Sequence, residues 1–233
     1  MATDTVRYEL RDDIAIIALD DGKVNALSPD VIAAITAALD RAAGEAKAVV
    51  LTGRPGRFSG GFDLRVMRES REAVIGLVSA GAELACKVYS FPLPVVAACS
   101  GHAIAMGVFL ILSCDYRIGT TGDFKLQMNE VANGMVLPAF AVALSADRLS
   151  KRHLSRAAVT SEAYTPEGAV DAGILDEVTS AERLLDDALA VATRYTTLNR
   201  AALAGTKRRL RGATIQHIRD GLRADMELAA SGE

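Results

Sequence analysis

Twice in the first half of the chain, a short and almost wholly apolar run ends in a glycine-bearing turn and then a helix start. The first is KAVVLTG at 47–53, followed by FSGGFDL at 58–64; the second is PVVAACSG at 94–101, followed by HAIAMGVFLILS. Short β-branched runs bounded by turn residues read as strands buried on both faces. Strands that alternate with helices need crossovers, and crossovers suit a parallel sheet. Adjacent Gly60 and Gly61 serve a turn, or they let the backbone approach something that a side chain would block. Each of the two sites can present unpaired N–H groups at a helix start, aided by the helix dipole. Two such sites suggest a pair of N–H donors converging on one oxygen, the logic of an oxyanion hole.

The rest of the chain fits an α/β core with a helical end. VRYEL and IAIIAL flank Arg11–Asp13 as a β-hairpin. Ser28 reads as an N-cap and Pro29 as the first residue of a helix through the alanine-rich stretch that follows. Helical patterns recur at about 71–90 and 106–113, and DYRIGT and DFKLQMNE read as short strands. Beyond Pro138 helical patterns dominate apart from GILDEV, and the part from Ala181 reads as three amphipathic helices. The expected division is therefore 1–180 as the mixed core and 181–233 as the helical region.

Half of the 233 residues are apolar, which supports one sizeable core and excludes wholesale disorder. A net charge of -3 gives no reason to expect a nucleic-acid partner. The basic run Lys207-Arg208-Arg209-Leu210-Arg211 reads as a solvated helix face, or as an anion contact. Cys86, Cys99 and Cys114 lack metal-ligand or CxxC spacing and read as reduced core cysteines of a cytosolic protein, with no metal expected. The N-terminus has neither the basic nor the apolar region of a signal peptide, and the longest nearly apolar run, 103–112, is too short to span a bilayer. The expectation is a cytoplasmic protein with no membrane span.

KVNAL, FSGGFDL, GHAIAMGVFLILSCDYRI and NEVANG, in this order and at these separations, resemble the crotonase superfamily of enoyl-CoA hydratases and isomerases. The resemblance covers nearly the whole chain. It implies a spiral of ββα units with a C-terminal helical trimerisation region, an acyl-CoA substrate and a homotrimer or hexamer. Coenzyme A enters as part of the substrate, with no separate cofactor. By the same resemblance the oxyanion donors fall on the backbone N–H groups of Gly60 and Met106, although the family usually has glycine at the latter. Lys23, Asn25, Ala26 and Leu27 would line the nucleotide end of coenzyme A, and Lys207 would reach its phosphates. Phe109 and Met135 would line the acyl pocket. Asp63 reads as an N-cap for the next helix, His102 as a packed and hydrogen-bonded residue, and Asp115 as structural.

Family hydratases hold a water between two glutamates, one acting as base and one as acid. Here one of the two matching positions is Glu130 and the other is Phe109. Phe109 cannot hold or protonate a water. A single glutamate can still move a proton between two carbons, and the residues around Glu130 resemble those of mitochondrial-type Δ3,Δ2-enoyl-CoA isomerases. The reading is an isomerase first and a hydratase second. Thioester hydrolysis and a non-catalytic acyl-CoA binder remain as further alternatives.

Overall fold

The computed structural model describes residues 5–231, with side chains through Leu222. Residues 1–4 and 232–233, the outer ends of the two expected regions, lie outside the described residues. The chain opens with a hairpin of β1 (Val6–Arg11) and β2 (Ile14–Leu19). Its two turn residues, Asp12 and Asp13, both have positive φ, 47° and 66°. That matches the right-handed twist of the flanking strands, and aspartate tolerates this backbone better than most residues.

After the hairpin the chain winds in ββα turns. The first places β3 (Ala26–Leu27) and α1 (Pro29–Glu45); the second β4 (Ala48–Thr52), β5 (Gly56–Ser59), β6 (Gly61–Phe62) and α2 (Arg71–Tyr89). The third places β7 (Val95–Cys99), β8 (Gly101–Ile104) and α3 (Met106–Leu112), and the fourth β9 (Tyr116–Thr120), β10 (Leu126–Gln127) and α4 (Ala139–Arg148). Then come α5 (Lys151–Ala158), α6 (Pro166–Ala172), β11 (Glu177–Thr179), α7 (Leu184–Tyr195) and α8 (Arg200–Ser231). The hairpin, one strand from each of the later turns (β4, β7 and β9) and β11 form a six-stranded sheet of order β1-β2-β4-β7-β9-β11; the others form a three-stranded sheet of order β10-β8-β5 and the pair β3-β6. Every pairing between these strands after the hairpin is parallel. This is the spiral of ββα units that the family resemblance implied.

Burial on both faces explains the continuous apolar strands. Along β4, Val49 and Leu51 enter the main core under α1 to α4, while Ala48 and Val50 enter a second core. Along β7, Val95, Ala97 and Cys99 alternate in the same way with Val96 and Ala98. Leu184, Ala188, Val191 and Ala192 of α7 close the second core, so α7 is a layer of the sheet. Ser28 and Ser70 cap α1 and α2 by accepting the Val31 and Ala73 N–H groups at 3.3 and 3.1 Å.

Two local expectations change. The last third holds two helices among the described residues, because Gly205, Gly212 and Gly221 all stay inside the single long α8. Gly221 serves the packing: a Cβ there would stand 2.4 Å from Cβ of Ala139 at the start of α4. Asp63 caps only a turn, since its Oδ1 accepts the Arg65 N–H at 2.9 Å, and α2 begins later behind Ser70. The three cysteines are free and buried, with burial pushing the Cys99 and Cys114 thiols up to about 12. No helix among the described residues is long and apolar enough to cross a membrane.

Candidate active site

The three-stranded sheet brings the three chemical segments to one end. β8 lies between β5 and β10, both parallel to it. At their carboxyl ends β5 runs into Gly60, β8 into Met106, and β10 into Glu130. Ligands of parallel α/β sheets sit at the carboxyl ends of strands. The two glycine turns do meet. Gly61 has a φ of 88°, and a Cβ there would stand 2.8 Å from the Ile104 oxygen and 3.4 Å from the Met106 nitrogen. Only glycine fits that conformation and that gap.

Met106 opens α3, and its N–H has no acceptor within the helix. The residue before it, Ala105, is held at a φ of 51°, with its N–H on the Gln127 carbonyl at 2.8 Å. The Met106 side chain lies on α2: a Cβ at Gly81 would stand 3.4 Å from its sulfur. Methionine at this position therefore leaves the N–H available, since the side chain is stowed in the core at 0 % exposure.

Gly60 is not the free donor of the first turn. Its N–H donates to the Val24 carbonyl at 2.7 Å. The Asp63 N–H donates to the Leu27 carbonyl of β3 at 3.1 Å, and the Gly61 N–H donates to Ser59 Oγ at 3.2 Å. Successive amides of an extended segment point to opposite edges. The Phe62 N–H, next to that of Asp63, therefore points away from β3, and Phe62 replaces Gly60 as the candidate donor. Sequence reading centred on the glycines and missed it; the usable signal is the alternation along Gly61-Phe62-Asp63.

Glu130 is buried, at 8 % exposure, and its Oε2 has no hydrogen-bond partner among the described residues. Burial pushes its carboxyl above the ordinary glutamate range, against a smaller lowering from its own backbone N–H. A carboxylate made more basic by burial is better suited to taking a proton from carbon. Phe109, at the other acid position, is fully buried and packs edge-on against Phe140 at 5.5 Å. It belongs to the core, Met135 is partly exposed, and neither is among the residues that line the apolar groove nearby. That groove, of about 240 Å³, runs between α2, Val136–Pro138 and Leu222 of α8. Its wall residues Val74 and Val78 share a helix face with Gly81, where a Cβ would meet the Phe62 ring and the Met106 sulfur.

The expected coenzyme A residues divide. Lys23 is exposed. Ala26 is half-buried in β3, with its N–H on Asp21 Oδ2. Leu27 is core, and Asn25 is fully buried, its Nδ2 donating to the Leu19, Arg57 and Phe58 carbonyls. Asn25 ties the KVNAL loop to β5 and is a structural residue here. Lys207 is corrected outright. Its ammonium is buried, donating to the Phe91 and Leu93 carbonyls at 2.9 Å each and to Asp115 Oδ2 at 2.5 Å. With its hydrogen bonds taken up inside its own chain, it does not reach for phosphates. His102 and Asp115 are structural as expected: His102 Nδ1 accepts the Lys125 N–H at 3.0 Å, and Asp115 anchors α8. Among the described residues no group of three or more His, Cys, Asp or Glu side chains could hold a metal ion.

Comparison with known proteins gives the family to which this fold belongs. A structure of an enoyl-CoA hydratase/isomerase family protein from Pseudomonas syringae is 44 % identical, with a TM-score of 0.96 and coverage of 97 % of this chain and 99 % of that one. A Mycobacterium tuberculosis structure titled an enoyl-CoA isomerase is 38 % identical, with a TM-score of 0.91 and coverage of 98 % of both chains. Human mitochondrial Δ3-Δ2-enoyl-CoA isomerase is 27 % identical, with a TM-score of 0.91 and coverage of 97 % and 91 %. Other similar proteins, such as one from Mycobacterium marinum at 37 % identity, are titled hydratases. Residues 9–231 match the enoyl-CoA hydratase/isomerase family, and the chain belongs to it.

Proposed function

We propose that this enzyme shifts the double bond of a 3-enoyl-CoA to the 2-position, with Glu130 as the only acid–base group. The observation that carries this reading is the pairing of a buried Glu130 carboxylate, whose Oε2 has no partner among the described residues, with a core-packed Phe109 where a second acid would stand. Glu130 takes a proton from C2 of the thioester. The C–H electron pair moves toward the carbonyl, giving a dienolate whose oxygen carries the developing charge. The Phe62 and Met106 N–H groups donate to that oxygen. The same carboxyl then returns its proton at C4, and the double bond comes to rest between C2 and C3. The chemistry draws on one side chain and two amides, with coenzyme A as part of the substrate. The groove along α2 suits the acyl tail, because it is apolar and its wall residues Val74 and Val78 share the α2 face with Gly81, which packs against Phe62 and Met106.

A direct rate comparison tests this. Isomerisation of 3-enoyl-CoA is expected to exceed hydration of 2-enoyl-CoA in kcat/KM. Equal or faster hydration would make the chain a hydratase with a second acid not identified here.

The donor assignment has its own test. Gly61→Ala forces a Cβ against the Ile104 oxygen and imposes positive φ on alanine. It is expected to lower kcat by about 10²- to 10³-fold, the usual consequence of losing one oxyanion donor. Gly60→Ala meets only a tight 3.2 Å contact with the Val24 oxygen, and its effect is expected to be far milder. The reverse order of effects would return the donor to Gly60.

A further inference from the structure

Ser161 sits in the connection after α5 with a φ of 52°, a backbone that costs any residue but glycine. It is buried, at 6 % exposure. Its neighbours hold it there. Thr160 Oγ1 and the Glu162 N–H both donate to the Arg156 carbonyl, at 2.7 and 3.0 Å, and the Arg156 guanidinium pairs with the Glu162 carboxylate. Strain that is over-determined in this way gathers near functional groups, and here its two contacts show where it acts. Ser161 Oγ accepts the Ala132 N–H at 3.1 Å, and the Ser161 carbonyl accepts Gln127 Nε2 at 2.7 Å. Gln127 lies three residues before Glu130, and Ala132 two residues after it. Two steps beyond Ser161's neighbour Glu162, Tyr164 exchanges both backbone hydrogen bonds with Leu126 of β10, at 3.0 Å each.

The turn that follows Glu130, Val131–Asn133, has no side-chain cap from its own flank. Its first N–H groups have no acceptor within so short a helix. Ser161 supplies the missing acceptor from about thirty positions further along the chain. From these contacts we propose that Ser161 is a positioning residue for the catalytic carboxylate, a serine clamp that fixes the Glu130 turn from both sides. The proposal rests on the reading of Glu130 as the base. Ser161 touches no reacting atom; it sets where the carboxylate sits and how well water is kept from it.

Two variants of the full chain test the clamp. Ser161→Gly removes the Oγ acceptor but adopts positive φ freely and keeps the carbonyl contact to Gln127, so it folds. Ser161→Ala removes the same oxygen and keeps the strain. Both are expected to lower kcat for 3-enoyl-CoA isomerisation by about 10- to 100-fold, with KM within about twofold. Both are also expected to move the NMR titration midpoint of the Glu130 carboxyl down toward that of an exposed glutamate, and to speed hydrogen exchange at the Ala132 amide. Ser161→Gly with unchanged kcat and an unmoved Glu130 titration would overturn the clamp, whatever Ser161→Ala does. The titration and the amide exchange need no turnover. If the unmodified enzyme fails to isomerise 3-enoyl-CoA, the catalytic reading falls, while a shifted Glu130 titration in Ser161→Gly still upholds the clamp and an unshifted one still removes it.

Discussion

Glu130→Gln is expected to lower isomerase turnover by about two to four orders of magnitude while acyl-CoA affinity is largely kept. The amide keeps the shape and the hydrogen-bonding capacity of the side chain but cannot take the C2 proton. The pH profile should change with it. The acid limb of kcat/KM in the unmodified enzyme reports ionisation of Glu130 and should lie above the ordinary glutamate range, because burial disfavours the charged form. Stability should move the other way. A carboxyl whose folded-state pKa is raised contributes stability below its unfolded pKa and loses that contribution as pH rises through the folded value. The partnerless Oε2 therefore makes the ionised protein less stable near neutral pH, and glutamine removes the charge. The Tm advantage of Glu130→Gln over the unmodified enzyme should grow as pH is raised from about 4 toward about 7. A dead but stabilised variant is the mark of a group kept for chemistry at the expense of the fold. Near-native turnover in Glu130→Gln would return Glu130 to an ordinary strand-end acid.

The parts of this fold that were legible in the sequence are those where one periodicity rules. Doubly buried strands such as Val95–Cys99 have one composition on both faces, and Ser28-Pro29 announces a helix with two independent signals. The convergence of the two glycine turns could be inferred from their shared form but not read from their spacing. It depends on β5 and β8 lying side by side in a second sheet, and sequence separation carries no such pairing. The misplaced donor has a related cause. Gly60 and Gly61 attract attention because they lack side chains, whereas a backbone donor is chosen by which edge of the strand it faces, and Phe62 carries no residue-type signal of that. Lys207 was misread although a signal existed. Lys207, Arg211, Ile215, Ile218 and Leu222 recur at steps of three and four, and all are buried, while Arg208 and Arg209 between them are exposed. Two cations on the apolar stripe of a helix demand an inward partner. Sequence cannot say which acid answers; here it is Asp115, nearly a hundred positions earlier.

Asp115 is where the largest loss of stability is expected. Its Oδ2 accepts the Lys207 ammonium at 2.5 Å and the Val95 N–H at 2.7 Å, and its Oδ1 accepts Arg211 Nη1 at 2.8 Å. The Arg211 guanidinium also lies over the Tyr89 ring, 4.4 Å from its centre. One carboxylate thus neutralises both inward cations of α8 and fastens that helix to the end of α2 and the start of β7. Asp115→Ala leaves two buried positive charges beside each other with carbonyls and the Tyr89 ring as partners but no counter-charge. Breaking a buried pair in this way costs about 3–5 kcal/mol, a large share of the roughly 5–15 kcal/mol that holds a domain folded. The midpoint of urea unfolding should fall accordingly, and added salt should restore little, because buried charges are weakly screened. Lys207→Met should cost less, since Asp115 keeps Arg211 and Val95 and a buried cation is removed along with its desolvation. It should also leave the preference for acyl-CoA over acyl-pantetheine unchanged, as Lys207 faces Asp115 and not solvent. An Asp115→Ala protein within about 1 kcal/mol of the unmodified one would show that α8 is held by its apolar stripe alone. A lost preference for the coenzyme A form in Lys207→Met would bring that lysine back to the phosphates.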